Sequence, residues 1–162
     1  MKALSQPSFV PNKRKYLFYG DEEGMERLSP VIQKVQKENH SYQLLLVDEK
    51  EGKDISHWLQ NQKMGSYLYI AVEWNKLKHF IKVAEDQGFS VDEVQCIGHG
   101  ARFIQVFCYK CHLKTVVSGE SIKQVIDCPN CHLTLSVSDH YSPLHDSYLG
   151  YPATIEKGSD HA

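Results

Sequence analysis

Two blocks of this chain place thiols at a spacing that does chemistry: Cys108-Tyr109-Lys110-Cys111-His112 and Cys128-Pro129-Asn130-Cys131-His132. Each block alone spells C-x-x-C-H, the attachment signal of c-type haem. Together they spell C-x2-C-x16-C-x2-C, the pattern of a tetrahedral metal site. A C-x-x-C turn supplies two sulfurs and points backbone N–H groups at them. The stretch between the pairs is expected to fold as a hairpin that unites them. Covalent haem is normally attached outside a reducing compartment and wants a sixth ligand, whereas Met1, Met25 and Met64 all lie far upstream. His112 or His132 could replace a cysteine as ligand, but four thiolates already fill a tetrahedral shell and leave no place for water. That argues for structure rather than zinc catalysis. The expectation is therefore structural zinc on Cys108, Cys111, Cys128 and Cys131. The alternative is a rubredoxin-like iron on the same four sulfurs, which could pass electrons.

A second cluster follows the cysteines. Asp139-His140-Tyr141-Ser142, with His145 and Asp146, puts two histidines and two carboxylates within eight residues. Such a set could build another metal or acid–base site. The preferred reading is a segment that docks Tyr141, Tyr148 and Tyr151 on the metal module or on a partner, because aromatics bury area and keep a polar tip. The fifth cysteine, Cys96, reads as a small buried hydrophobe.

Composition bounds what these groups can serve. The 162 residues are 41% hydrophobic and 23% charged, enough for a packed core. Eighteen basic against 20 acidic residues give a net charge of −2, with no bulk attraction for nucleic acid or an anionic membrane. The cysteine module adds only a few lysines, such as Lys110, Lys114 and Lys123. No apolar run approaches the roughly 20 residues that span a bilayer, and the first residues lack a signal-peptide core. A cytoplasmic protein is expected, where disulfides are rare and paired cysteines read as metal ligands.

The elements that must position these residues alternate strand and helix over the first hundred positions. Strands are expected at 16–19, 42–47, 67–72 and 91–97, the third at the sheet centre. Ser29-Pro30 reads as the start of the first helix, or as a kink if that helix begins earlier. Asp54 can cap a short helix over 55–60, and 75–87 is the clearest helix, ended by Gly88. Gly98-His99-Gly100 reads as a flexible turn and domain boundary. The expected fold class is α/β: a Rossmann-like, mostly parallel open sheet followed by a small zinc-ribbon β module. Its parts are a loose N-terminal arm (1–14), the α/β domain (15–100), the ribbon with a C-terminal docking segment (101–153) and a tail (154–162).

Residues 15 to about 98 resemble the nucleotide-binding half of ferredoxin reductases in layout. Leu17-Phe18-Tyr19-Gly20 and Leu28-Ser29-Pro30 carry that likeness. The family's glycine loop is replaced by Gly20-Asp21-Glu22-Glu23-Gly24, whose carboxylates would repel phosphate, and its Cys-Gly-Pro turn by Val72-Glu73-Trp74. A domain that has lost nicotinamide binding is expected, its acidic loop a solvated turn or a docking surface.

Over most of its length, the chain is similar to the DmmA-like small subunits of dimethylamine monooxygenase. The cysteine knuckles and the segment Leu135-Ser136-Val137-Ser138-Asp139-His140-Tyr141-Ser142 carry the resemblance most specifically. It implies membership in a multicomponent oxygenase that demethylates dimethylamine with O₂ and NADPH. The implied partners are an oxygenase subunit and a flavin and iron–sulfur reductase. No nucleophile–base pair and no intact dinucleotide loop is defensible here. The expected role is a non-catalytic accessory and assembly subunit, with electron transfer through iron as the alternative.

Overall fold

The computed structural model describes residues 3–47 and 55–153. Two compact units follow one another, Met1–Gly100 and Ala101–Ala162.

In the first unit, β1 (Ala3–Leu4), β2 (Lys15–Gly20), β3 (Tyr42–Leu46), β4 (Ser66–Glu73) and β5 (Val94–His99) form one sheet in the order β1-β5-β4-β2-β3. Every pairing in it is parallel. The period-2 alternation of a strand splits the buried residues between two faces. Leu17, Tyr19, Leu68, Ile70 and Val72 face α2 (Ile55–Gln60) and α3 (Trp74–Asp86), where Leu59, Leu77 and Ala84 are buried. Tyr16, Phe18, Tyr69, Ala71 and Ile97 face α1 (Glu22–Lys37), which contributes Leu28, Val31 and Val35. Near-continuous apolar strands with helices on both sides are what a parallel sheet requires.

Several local expectations change. The first helix does not begin at Ser29-Pro30 but at Glu22, with Asp21 as its cap: the Asp21 carboxylate accepts from Gly24 N–H at 2.7 Å, and Glu22 and Glu23 suit the positive end of the helix. Pro30 lies inside the helix at an exposed position, as does Glu26, whose carbonyl has no donor at Pro30. The fourth strand starts later than expected. Ser90 and Glu93 form a reciprocal capping box that winds Val91–Glu93 into a short 3-10 turn first. Gly98-His99 is strand, not flexible turn; only Gly100 leaves the sheet, at φ +75°. The Trp74 indole covers Gly98 so closely that a Cβ there would meet its Cδ2 at 2.2 Å. The Asp54 cap lies outside the described residues.

The arm before β2 is not loose in residues 3–14. Its β1 extends the sheet beside Cys96 and Ile97. The arm also supplies acceptors that buried strand residues need: Tyr69 O–H donates to Ser8 O at 2.8 Å and Tyr16 O–H to Val10 O at 2.8 Å. Gln95 exchanges hydrogen bonds with the Ser8 backbone in both directions. Lys34 lies over the Phe9 ring at 4.8 Å.

The second unit is a curled sheet of β6 (Phe103–Cys108), β7 (Lys114–Ser118), β8 (Val125–Asp127), β9 (Thr134–Ser142) and β10 (Ser147–Pro152), ordered β7-β6-β10-β9-β8. The expected hairpin between 114–117 and 124–126 does not form. β7 pairs with β6 and β8 with β9, at opposite edges, because each knuckle closes its own hairpin. The segment expected to dock is built into the sheet as well: β10 runs parallel to β6 and antiparallel to β9, filling the centre.

Candidate metal centre

Each knuckle is the turn of a hairpin. In the first, Cys108 N–H donates to Leu113 O at 3.0 Å and His112 N–H to Cys108 O at 2.9 Å. The second repeats this bond for bond: Cys128 N–H to Leu133 O and His132 N–H to Cys128 O, both at 2.9 Å. His112 and His132 take the left-handed conformation at φ +64° and +60°. That conformation reverses the chain directly after each C-x-x-C pair.

The two turns bring all four thiols together. Their sulfurs lie within 4.8 Å of one another, with Cys108 and Cys128 buried and Cys111 and Cys131 half-buried. Across the knuckles, Cys108 Sγ stands 3.7 Å from Cys131 Sγ, and Cys111 Sγ 3.6 Å from Cys128 Sγ. A tetrahedron with metal–sulfur bonds of about 2.3 Å has sulfur–sulfur edges of about 3.8 Å, so the spacing suits a thiolate-bound metal. Leu135, Ile126 and Leu133 pack around the cysteines and exclude water on the inner side.

The thiols do not ionise alike. Hydrogen bonds from the Asn130 side chain and the Leu113 backbone hold Cys111 down at about 6. At Cys131 the Leu133 backbone pulls the thiol down, but desolvation and the three neighbouring sulfurs outweigh it and push it up to about 11. Four thiolates this close would repel one another, so full ionisation of the group calls for a bound cation as counter-charge. The group offers four sulfur donors, the number that a tetrahedral metal shell takes.

The second candidate cluster is not assembled. His140, its side chain 85% exposed, lies 3.9 Å from Asp139, which also pairs with Lys123 at 3.4 Å, and neither reaches His145 or Asp146 to make a shared site. Tyr141 O–H donates to Asp146, and Tyr141 meets Tyr148 edge to face. His145 stacks on Phe107 at 4.3 Å, with His112 on Phe107 at 5.3 Å. These contacts tie the β9–β10 turn to the first knuckle's strand. Among the described residues, the four cysteines are the one group placed to hold a metal ion.

Sequence reasoning missed Asn130 as a hydrogen-bond donor to a ligand sulfur, although a polar residue inside C-P-N-C was the signal. It also missed His99. Read as a turn residue, His99 is buried at the end of β5, with Nε2 donating to Asp21 Oδ1 at 2.7 Å.

Residues 105–151 match the family described as dimethylamine monooxygenase subunit DmmA-like, C-terminal domain. That span holds both knuckles and reaches β10. A search of curated proteins finds no match. Solved structures with a similar course include full-length CYP116B46 from Tepidiphilus thermophilus, at 14% identity and TM-score 0.43, covering 69% of this chain and 19% of that one. An intact type IV self-sufficient cytochrome P450 monooxygenase matches at 10% identity and TM-score 0.49, over 68% of this chain and 19% of that one. Phthalate dioxygenase reductase, described as a modular structure for electron transfer from pyridine nucleotides to [2Fe-2S], matches at 9% identity and TM-score 0.47, over 68% and 46%. The chain thus spans less than half the length of each. Among the described residues, no helix is long and apolar enough to cross a membrane.

Proposed function

We propose that this chain is a non-catalytic accessory and assembly subunit of a multicomponent dimethylamine monooxygenase, with structural zinc on Cys108, Cys111, Cys128 and Cys131. The observation that carries the reading is the coincidence of the family match over residues 105–151 with the four convergent sulfurs. The oxygenase would demethylate dimethylamine with O₂ and NADPH in a separate subunit. A flavin and iron–sulfur reductase would supply the electrons.

The metal's part here is mechanical. Zinc has no redox chemistry, and four thiolates leave no open position for substrate. It would fix β6, β9 and the two hairpin turns in one geometry. A sheet of five short strands has a small core, centred on Ile104, Val106 and Val137, and gains most from such a clamp. The near-neutral charge gives no electrostatic footprint for nucleic acid, and a soluble, cytoplasmic subunit fits the unbridged thiols.

The test is genetic and biochemical together. Cells lacking this chain are expected to lose dimethylamine-dependent oxygen uptake. The intact chain should restore it, and the Cys111→Ser chain should not. Undiminished uptake in the deletion strain would refute the reading.

A further inference from the structure

The carboxyl ends of β2 and β4 form the switch point of the parallel sheet. From β2 the chain passes through α1 to β3 on one side; from β4 it passes through α3 to β5 on the other. In open α/β sheets, ligands bind at this point, and the helix that starts there offers free N–H groups to an anion. Here α1 is that helix, and its seat is filled from within. Asp21 Oδ1 accepts from Gly24 N–H at 2.7 Å and from His99 Nε2 at 2.7 Å. Asp21 N–H donates to Ala71 O at 3.2 Å, which ties the turn to the end of β4.

The groups around this contact leave little for another anion. His99 is 5% exposed, and its buried Nδ1 lies 3.3 Å from Glu23 Oε2 without a hydrogen bond to it. Glu73 stands beside His99 in the β4–β5 register and pairs with Lys76 at 4.0 Å. The first turn of α1 rests directly on β4, for a Cβ on Gly24 would stand 1.9 Å from Ala71 O. A phosphate would have to displace a doubly hydrogen-bonded carboxylate from a wall that also carries Glu22, Glu23 and Glu73.

We propose that the Asp21 carboxylate is an internal anion that closes the ligand end of the α/β unit to phosphate-bearing ligands, with His99 as the residue that positions it. The unit keeps the tight glycine approach of a nucleotide fold and spends it on its own side chain. A pyridine nucleotide is therefore not expected to seat its phosphates at this switch point. The inference concerns the first unit alone and stands or falls separately from the metal centre.

The test is calorimetric titration of the full chain with inorganic pyrophosphate and, separately, with NADPH. The wild type is expected to show no saturable binding of either up to about 1 mM, near 4 kcal/mol of binding free energy. In Asp21→Gly combined with Glu23→Gln, the Gly24 N–H and His99 Nε2 donors are freed, and glycine is tolerated at a helix cap. Pyrophosphate should bind this variant at least tenfold more tightly than the wild type. Saturable binding of either probe to the wild type would overturn the proposal, as would a folded variant that binds pyrophosphate no better. If that variant does not fold, Asp21→Ser with Glu23→Gln keeps the cap on Gly24 N–H, removes both charges and frees His99 Nε2, so pyrophosphate should still bind it more tightly than the wild type. The wild-type titration decides the first point without any variant.

Discussion

Cys108 Sγ and Cys131 Sγ stand 3.7 Å apart although 23 positions separate them in the chain. No hairpin joins them, since Cys108 ends β6 and Cys131 lies in the turn between β8 and β9. The two turns are brought together through β10, which pairs with both β6 and β9. A metal bound to the four sulfurs would close a long-range contact, where a cross-link adds most to the stability of a small sheet.

Removing a ligand sulfur is expected to unfold the second unit and spare the first. Structural zinc in small modules contributes an apparent binding free energy of about 10–16 kcal/mol, more than a core this size supplies. Cys111→Ser, or a strong chelator, should abolish the protected amides of β6, β9 and β10 in hydrogen exchange. Those of β2, β4 and β5 should stay protected.

Thiol reactivity should separate Cys96 from the other four. Burial pushes the Cys96 thiol up to about 12, so it is un-ionised and inaccessible at pH 8. A thiol reagent is expected to label none of the cysteines rapidly in the metal-loaded chain and four after chelation. The fifth should react only in denaturant. Rapid native labelling of Cys96 would contradict its placement in β5.

Deleting residues 1–10 removes the acceptors of Tyr16 and Tyr69 and the partner of Gln95. A buried polar group left unsatisfied costs about 1–3 kcal/mol. The truncated chain should lose several kcal/mol by urea titration, while Tyr69→Phe, which removes donor and need together, should lose about 1 kcal/mol.

Gly24→Ala would set a Cβ 1.9 Å from the Ala71 carbonyl oxygen, which is backbone and cannot rotate away. Overpacking against a fixed neighbour costs about 1–3 kcal/mol or more. A drop in the urea midpoint with unchanged slope is expected, whereas Gly88→Ala meets no atom within 4 Å and costs only the strain of its φ of +89°.

Much of the fold was legible because its signals are local. The apolar runs at β2 and β4 and the period of Leu77, Phe80, Ile81 and Ala84 placed strands and helix within a residue or two. The C-x-x-C spacing named four residues that the structure does bring together. What failed depends on distant partners. Asp21 reads as one more acidic loop residue until His99, 78 positions later, is seen to hydrogen-bond it. The stretches 114–117 and 124–126 read as one hairpin until the knuckles are seen to fold each onto a different strand. Pro30 reads as a helix start because the sequence does not show that the helix turn from Glu26 to Pro30 is exposed at both residues.

Metal content tests the proposed zinc centre on Cys108, Cys111, Cys128 and Cys131 most directly. The chain, purified without a metal-affinity tag, would be measured by elemental analysis together with its visible spectrum. One zinc per chain and no absorbance above the protein band is the predicted result. One iron per chain with thiolate-to-iron absorption would contradict it and place the chain in the path of electrons.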